Sequence, residues 1–205
     1  MNIKLRNLGL QDYRKTWASM QNVILSKGQS DPDEIWLLEH FPVYTLGLGA
    51  SENHLLIKND IPVIRSDRGG EVTFHGPGQI VAYFLINLRR KGWGPKKLVN
   101  ELESSVIDFL KIYGISSSRQ QGNPGVYIKD EKISSVGLKI KRGFSYHGLS
   151  INIDMDLSPF ESINVCGDQS MKVTHLNKFY DIPIPNAFKD FEKTAKARFE
   201  GKMGL

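Results

Sequence analysis

Apolar residues near the N terminus recur at helical spacing. Tyr13, Trp17, Met20 and Ile24 are separated by four, three and four positions, and Gly28 follows them. This spacing places the four side chains on one face of a helix that ends near Gly28. We expect that face to pack against the core.

The segment from residue 34 to 88 alternates apolar with polar positions or runs apolar, and it is rich in β-branched and aromatic residues. Glycine and proline interrupt it, as they do between strands. The pattern predicts strands of one sheet at EIWLLEH (34–40), PVYTLG (42–47), IPVIRS (61–66), EVTFH (71–75) and QIVAYFLINL (79–88).

Two more helices follow from apolar spacing. Pro95 opens the first at a favourable first-turn position, and Gly114 ends it just after Tyr113. The second runs from Asn186, a candidate N-cap, to Phe199.

Residues 125–153 predict a meander of three antiparallel strands joined by the turns KDEK and KRG. Lys132 stands where the first turn becomes the second strand. Because sheet and helices mix without regular βαβ alternation, the fold class is α+β.

The length of 205 residues suits one domain over residues 1–205, with a monomer as the default. No apolar run approaches the roughly 20 residues of a membrane helix, and the start MNIKLRNLGLQD lacks the apolar region of a secretory signal. The single cysteine cannot form an internal disulfide, which suits a reducing compartment. We therefore expect a cytoplasmic protein that does not bind membranes.

The net charge of +5 predicts attraction to an acidic partner, which charge alone leaves open between nucleic acid, anionic lipid and acidic protein. No run of five like charges occurs, and the densest basic stretch, KIKR at 139–142, is typical of a solvated strand end. Nucleic acid binding gains no support.

The stretch RGGEVTFHGPGQ (68–79) holds four glycines, whose bare backbone can approach a ligand closely. A pair of tight hairpin turns explains the same glycines. The stretch lacks the Gly-Lys-Ser/Thr ending of a P-loop, and neither GLGASE nor GPGQIV completes a dinucleotide fingerprint. The five histidines are scattered and no HExxH or CxxC occurs, so we expect no metal and no cofactor.

Cys166, in SINVCGD, is either a small core residue or a nucleophile. Its position after the Ser158-Pro159 turn, with Gly167 beside it, favours a loop or the mouth of a short helix. A thiol with a free pKa of about 8.5 needs a nearby cation or base to become a nucleophile at neutral pH. The candidates for that partner are Lys132, Lys139, Lys172, His75, His147 and His175.

Several linked motifs carry a family resemblance. EHFPVYTLG (39–47), RGGEVTFHGPGQIVAYFLINL (68–88), GNPGVYI (122–128), EKISSVGLKI (131–140) and FSYHGLSINIDMDLSPFESINVCG (144–167) resemble, in order and spacing, the octanoyl-[acyl-carrier-protein]:protein N-octanoyltransferase family, also called lipoate-protein ligase B.

This resemblance implies the catalytic fold of the biotin and lipoate protein ligases, a mixed β-sheet flanked by helices with a small second sheet. It implies an acyltransferase that moves octanoyl from octanoyl-acyl carrier protein to a lysine on the lipoyl domains of 2-oxoacid dehydrogenase E2 subunits and glycine cleavage H protein, the first step of protein lipoylation. Both partners are acidic in many cases, which matches the basic charge.

The resemblance assigns the catalytic roles to Cys166, as the thioester-forming nucleophile, and Lys132, which lowers its pKa. It places substrate binding on Arg68, Gly69, Gly70, Glu71, Val72, Thr73, Phe74, His75, Ser135, Val136, Gly137, Gly148, Leu149 and Ser150. Amides around Cys166 and Gly167, or of the glycine-rich stretch, are our candidates for oxyanion donors.

Three positions depart from the family pattern: Val165 stands for a usual proline, Tyr83-Phe84 for a common Tyr-Pro, and Tyr127 for a common tryptophan. None of these changes removes a reacting group. Two alternatives stay open, an ATP-dependent lipoate or biotin ligase on the same fold and a non-catalytic module that binds lipoyl domains or acyl carrier protein.

Overall fold

The computed structural model describes residues 3–57 and 59–201, apart from the side chains of Glu52 and Cys166. Within these residues the chain forms ten strands in two sheets and four α-helices. In chain order they are β1 (Ile3–Gln11), α1 (Tyr13–Ser26), β2 (Asp33–His40), β3 (Val43–Leu46), β4 (Val63–Arg65), β5 (Val72–His75), β6 (Gln79–Leu85), α2 (Leu88–Lys91), α3 (Pro95–Ile112), β7 (Ser118–Gln120), β8 (Asn123–Ile128), β9 (Glu131–Lys141), β10 (Phe144–Asn152) and α4 (Ile184–Glu200).

The larger sheet has seven strands in the order β1-β2-β6-β10-β9-β8-β7. Only β1 and β2 run parallel in it, and its other neighbours are antiparallel. The smaller sheet has the order β4-β3-β5, with β3 and β4 parallel. The α+β class and the small second sheet are confirmed.

The prediction that the strands of residues 34–88 share one sheet is wrong. β2 and β6 pair directly in the larger sheet, while β3, β4 and β5 form the smaller one. Local alternation predicts that a strand exists but not which partner it meets, because pairing is decided by contacts distant in sequence.

The sequence pattern also missed β1. Among the described residues this edge strand pairs only with β2, much of it is exposed or half-buried, and its register shifts between Asn7 and Gly9. A strand that is partly exposed to solvent and interrupted by a bulge shows little alternation of apolar and polar residues.

The predicted helices are confirmed with one correction. In α1, the side chain of Asp12 caps the helix by accepting from the Lys15 N–H at 2.9 Å. In α3, Pro95 occupies the first turn. Asn186 is not the cap of α4, since the helix already begins at Ile184 after Pro183.

The larger sheet has packed layers on both faces. Apolar residues of α3 and α4 cover one face, and Met20 and Ile24 of α1 pack on the other against Trp36 and Phe144. A third cluster joins the smaller sheet to residues 155–165. No helix among the described residues is long and apolar enough to cross a membrane.

Candidate active site

A cavity of about 550 Å³ lies where the two sheets meet. Its walls come from β5, β6, β9 and β10, from the turn before β5, from the first turn of α3 and from residues 122–124. The lining is mainly apolar, so the cavity suits a hydrocarbon chain.

Most of the residues proposed from the sequence border this one cavity. Those that line it are Arg68, Gly69, Gly70, Glu71, Val72, Thr73, His75, Lys132, Ser135, Val136, Gly137, Gly148, Leu149 and Ser150. Phe74 is not among them, since its ring packs between Tyr44 and Phe160 at centroid distances of 5.5 and 5.6 Å. The side chain of Cys166 lies outside the described part of the structure, but Val165 before it lines the cavity.

Lys132 is buried in the cavity wall, with 2% of its surface exposed. The register of β8 and β9 shifts at this point, because Val126 pairs with Ser134 whereas Tyr127 pairs with Lys132. Such a bulge redirects side chains at the end of a strand. The Lys132 Nζ lies over the Tyr127 ring, 5.3 Å from its centroid.

Gly125 makes room for the Lys132 side chain. It has a φ of +145°, and a Cβ there would lie 2.7 Å from Lys132 Cε and 2.3 Å from the Ser134 carbonyl oxygen. The Gly125 N–H donates to Glu103 Oε1 at 2.9 Å, and Glu103 also pairs with Arg119 at 2.9 Å. Helix α3 thus fixes the backbone against which Lys132 packs.

Cys166 lies in a 3₁₀ turn, Val165–Gly167, as the loop-or-helix-mouth prediction expected. The segment before it is tied to residues 54–56: the Asn164 N–H donates to the His54 carbonyl at 2.9 Å, and the Leu56 N–H to the Ser162 carbonyl at 2.8 Å.

The segment after Cys166 is tied to Lys132 itself. The Lys132 N–H donates to the Lys172 carbonyl at 2.8 Å, and the Thr174 N–H donates to the Lys132 carbonyl at 2.9 Å. The main chain of Lys132 therefore holds one end of the loop that carries Cys166.

Arg68 is a buried wall of the cavity. Its guanidinium donates to the Thr45 carbonyl at 2.6 Å and to the Gly69 carbonyl at 3.0 Å. A Cβ at Gly137 would lie 3.0 Å from Arg68 Cδ and 3.0 Å from the Gly69 carbonyl oxygen, so a larger residue there would push against Arg68. These contacts give Arg68 a role in shaping the cavity.

Two buried histidines lie at the cavity: His75 lines it, and the His40 ring is 5.9 Å from the His75 ring. Burial lowers the pKa of His75 to about 3 and that of His40 to about 4. His75 Nδ1 is 2.8 Å from Gln79 Oε1, and His40 Nε2 is 2.7 Å from the Tyr83 hydroxyl. Both imidazoles are therefore neutral near pH 7.

A third histidine, His147, pairs with Asp67 at 2.8 Å between Nε2 and Oδ1. Burial lowers the pKa of His147. Burial opposes ionisation of Asp67, but hydrogen bonds from His147 and Tyr146 outweigh it and hold the Asp67 pKa well below its usual range. His147 has a φ of +59°, an unusual backbone conformation for a residue with a Cβ. Among the described residues, no group of three His, Cys, Asp or Glu side chains could hold a metal ion.

Two of the amides considered as oxyanion donors are already used. The Gly167 N–H donates to the Asn164 carbonyl at 3.0 Å, and the Gly69 N–H to the Leu138 carbonyl at 2.8 Å. The hypothesis does not hold for these two groups.

Sequence reasoning missed His54 beside the Cys166 turn. A Cβ on Gly167 would lie 3.4 Å from the His54 ring, and His54 Nε2 is 3.8 Å from Glu71 Oε2. Residue 54 is more than one hundred positions from residue 167. No local motif signals this approach.

Comparison with known proteins identifies the family. The lipoyl protein ligase A/B catalytic domain family matches residues 12–200. An octanoyltransferase of Alkalilimnicola ehrlichii is 47% identical over 191 residues, which cover 93% of this chain and 87% of the relative.

Solved structures support the fold alone, because their sequences are distant. A chain from a structural study of a bipartite lipoate protein ligase and its E2 lipoyl domain from Thermoplasma acidophilum has a TM-score of 0.79 at 15% identity, and the match covers 98% of this chain and 84% of that one. The biotin protein ligase of Aquifex aeolicus has a TM-score of 0.56 at 14% identity, with 97% and 69% covered. The chain therefore belongs to the lipoyl protein ligase A/B catalytic domain family and, within it, to the octanoyltransferases.

Proposed function

We propose that this octanoyltransferase takes its acyl group from octanoyl-acyl carrier protein, holds it as a thioester on Cys166 and transfers it to a specific lysine of a lipoyl domain. The acceptors are the lipoyl domains of 2-oxoacid dehydrogenase E2 subunits and glycine cleavage H protein. The observation that carries the proposal is the contact between Lys132, buried in the cavity wall, and the segment that follows Cys166.

In the first half-reaction the Cys166 thiolate attacks the thioester carbonyl of the donor. An ammonium on Lys132 near this thiolate stabilises it, because opposite charges a few ångströms apart favour the ionised thiol. The bond from Cys166 sulfur to the acyl carbon forms as the bond to the donor sulfur breaks. Lys132 gives its proton to the departing thiolate and acts as the general acid.

The apolar cavity supports an octanoyl ligand. Each buried CH₂ contributes roughly 0.8 kcal/mol, so the chain itself supplies much of the recognition. Arg68, Val136 and Leu149 form parts of the wall in this proposal. We keep the monomer as the proposed state, and the single cysteine, which cannot form an internal disulfide, suits the cytoplasm.

In the second half-reaction the acceptor lysine attacks the acyl-enzyme and Cys166 leaves. Lys132, left neutral by the first step, takes a proton from the acceptor amine, so the Cys166 thiolate leaves beside a restored ammonium and the same pair serves both steps. No nucleotide takes part, since the donor thioester is already activated.

The test is to mix the protein with octanoyl-acyl carrier protein without ATP and record its intact mass. We expect an adduct of one octanoyl group on the wild type and none on Cys166→Ala. Adding a lipoyl domain should discharge the adduct and modify one lysine of the domain. A strict ATP requirement for transfer would instead support the ligase alternative, and binding without an adduct would support a non-catalytic module.

A further inference from the structure

We propose that His54 and Glu71 form the site that receives the acceptor lysine in the second half-reaction. Glu71 holds the incoming ammonium, and His54 accepts the proton that the amine must lose before it attacks. This inference rests on the proposed function, and it concerns a pair of side chains to which the donor half-reaction assigns no proton transfer.

The two side chains lie beside the turn that carries the nucleophile. His54 Cε1 and Nε2 would be 3.4 and 3.5 Å from a Cβ on Gly167, and Glu71 Cγ would be 3.9 Å from it. Glu71 Oε2 is 3.8 Å from His54 Nε2. An imidazole and a carboxylate therefore meet next to the residue that follows Cys166.

The pair lies at the border between cavity and solvent. Glu71 lines the cavity, whereas His54 is not among the lining residues. The side chains are 25% exposed for His54 and 30% for Glu71. A side chain that arrives from another protein can reach this pair without entering the acyl cavity.

Each of the two side chains has an atom that could still form a hydrogen bond. His54 Nδ1 and Glu71 Oε2 are buried atoms without a hydrogen-bond partner among the described residues. The loop's attachment to this region uses the main chain of His54, whose carbonyl accepts from Asn164, so the imidazole is not required for that anchor. Buried polar atoms without partners are uncommon in folded proteins and call for an explanation such as a ligand.

The proton balance of the second step requires such a group. The acceptor enters as an ammonium and becomes an amide nitrogen with one hydrogen, so it loses two protons while its bond to the acyl carbon forms. One proton goes to Lys132 and restores its ammonium, as the bond from sulfur to acyl carbon breaks and Cys166 leaves as the thiolate. The other passes to His54 and then to water, since the His54 side chain is 25% exposed.

The experiment measures the two half-reactions separately. Octanoyl-enzyme formation is followed by quenched intact mass, and its discharge is followed after adding a lipoyl domain. For His54→Gln we expect acylation within about twofold of the wild type and discharge slower by roughly 10²-fold, the lower range of general acid–base contributions. Because Glu71 lines the acyl cavity, the expected result for Glu71→Gln is a discharge slowed roughly 10²-fold more than its acylation. Glu161→Gln is the matched control, because it removes an exposed carboxylate from the segment before Cys166.

A second nucleophile distinguishes two causes of slow discharge, the loss of a proton acceptor and a distortion of the loop that carries Cys166. Hydroxylamine is uncharged at neutral pH and needs no base to become nucleophilic, so it should discharge the octanoyl-enzyme of both variants at the wild-type rate. Equal slowing with hydroxylamine and lipoyl domain, or wild-type discharge by the lipoyl domain, would overturn the assignment. A wild type that forms no adduct at all would instead overturn the proposed function.

Discussion

The main-chain N–H of Lys132 donates to the carbonyl of Lys172, at 2.8 Å, so the lysine proposed as acid and base also anchors the loop that carries Cys166. The two contributions come from different atoms. The anchor uses the backbone, which a substitution leaves in place, while the proton transfer uses Nζ. Side-chain variants at residue 132 therefore test the chemistry with the anchor intact.

Replacing Lys132 with Met should raise the pKa of the Cys166 thiol by about one unit or more, because a nearby ammonium lowers a thiol pKa by stabilising the thiolate. One unit corresponds to about 1.36 kcal/mol of differential stabilisation. The measurement is the rate of alkylation by iodoacetamide against pH. Lys172→Met is the control, since it removes the same charge from an exposed side chain nearby. Superimposable curves for all three proteins would contradict the dyad.

Replacing Gly125 with Ala should both destabilise the fold and displace Lys132. The new Cβ would lie 2.7 Å from Lys132 Cε and 2.3 Å from a backbone oxygen. Gly122→Ala is the matched control, because Gly122 also has a positive φ, +86°, but a Cβ at that position would have no heavy atom within 4 Å.

The control should lose about 1–2 kcal/mol in free energy of unfolding, the usual cost of a left-handed backbone for a residue with a Cβ. Gly125→Ala should lose more than this in urea unfolding and should also shift the alkylation curve. Equal losses for both variants, with unchanged curves, would show that Gly125 is needed only for its backbone conformation.

Replacing Glu103 with Ala should lower the free energy of unfolding by about 1–3 kcal/mol, since it leaves the buried Gly125 N–H without its acceptor. Glu103→Gln should lose less, because an amide oxygen can still accept from Gly125 although the pairing with Arg119 is weakened. Urea unfolding measures both. An equal loss for the two variants would contradict a dominant role for the hydrogen bond to Gly125.

The protein should lose stability as the pH falls from 7 to 5. Burial lowers the pKa of His75 to about 3 and of His40 to about 4, so the unfolded chain binds protons on these imidazoles below about pH 6.5 while the folded chain does not. Each contributes a loss of about 2 kcal/mol over this interval. The lowered pKa of Asp67 adds nothing in this range, because the stability it provides is lost only as the pH falls below about 4.

Urea unfolding of His75→Gln at pH 7 and pH 5 measures the share of His75 in this loss. The variant keeps a polar side chain at the position but has no group that gains a proton in the unfolded state. Its free energy of unfolding should therefore fall by about 2 kcal/mol less than that of the wild type between the two pH values. The same fall in both proteins would refute the contribution of His75.

Much of the fold could be predicted from the sequence, because helices and hairpins depend on the local spacing of apolar residues and on turn residues. The face that contains Met20 and Ile24, and the meander around Lys132, follow from spacing and turns. The separation of β3 from β2 does not follow, since His40 and Val43 are only three residues apart and the chain changes sheets between them. Sheet membership depends on partners far away in sequence.

In the candidate site, too, some residues could be predicted from the sequence and others could not. Linked motifs identified residues that border one cavity, with Phe74 as the exception because its ring packs between Tyr44 and Phe160. His54 remained hidden, because only the folded backbone brings its carbonyl to the Asn164 N–H. Because no sequence motif surrounds His54, the sequence does not indicate that this residue lies next to the segment that carries Cys166.

The loop of Cys166 is held on one side by the main chain of residue 54 and on the other by that of residue 132. These anchors adjoin different sheets, so the reactive centre exists only when both have formed. In a growing or partly unfolded chain the Cys166 thiol lacks these two anchors, and the acyl donor should not acylate it. Under the proposed function, octanoylation of Cys166 therefore reports that both anchors have formed.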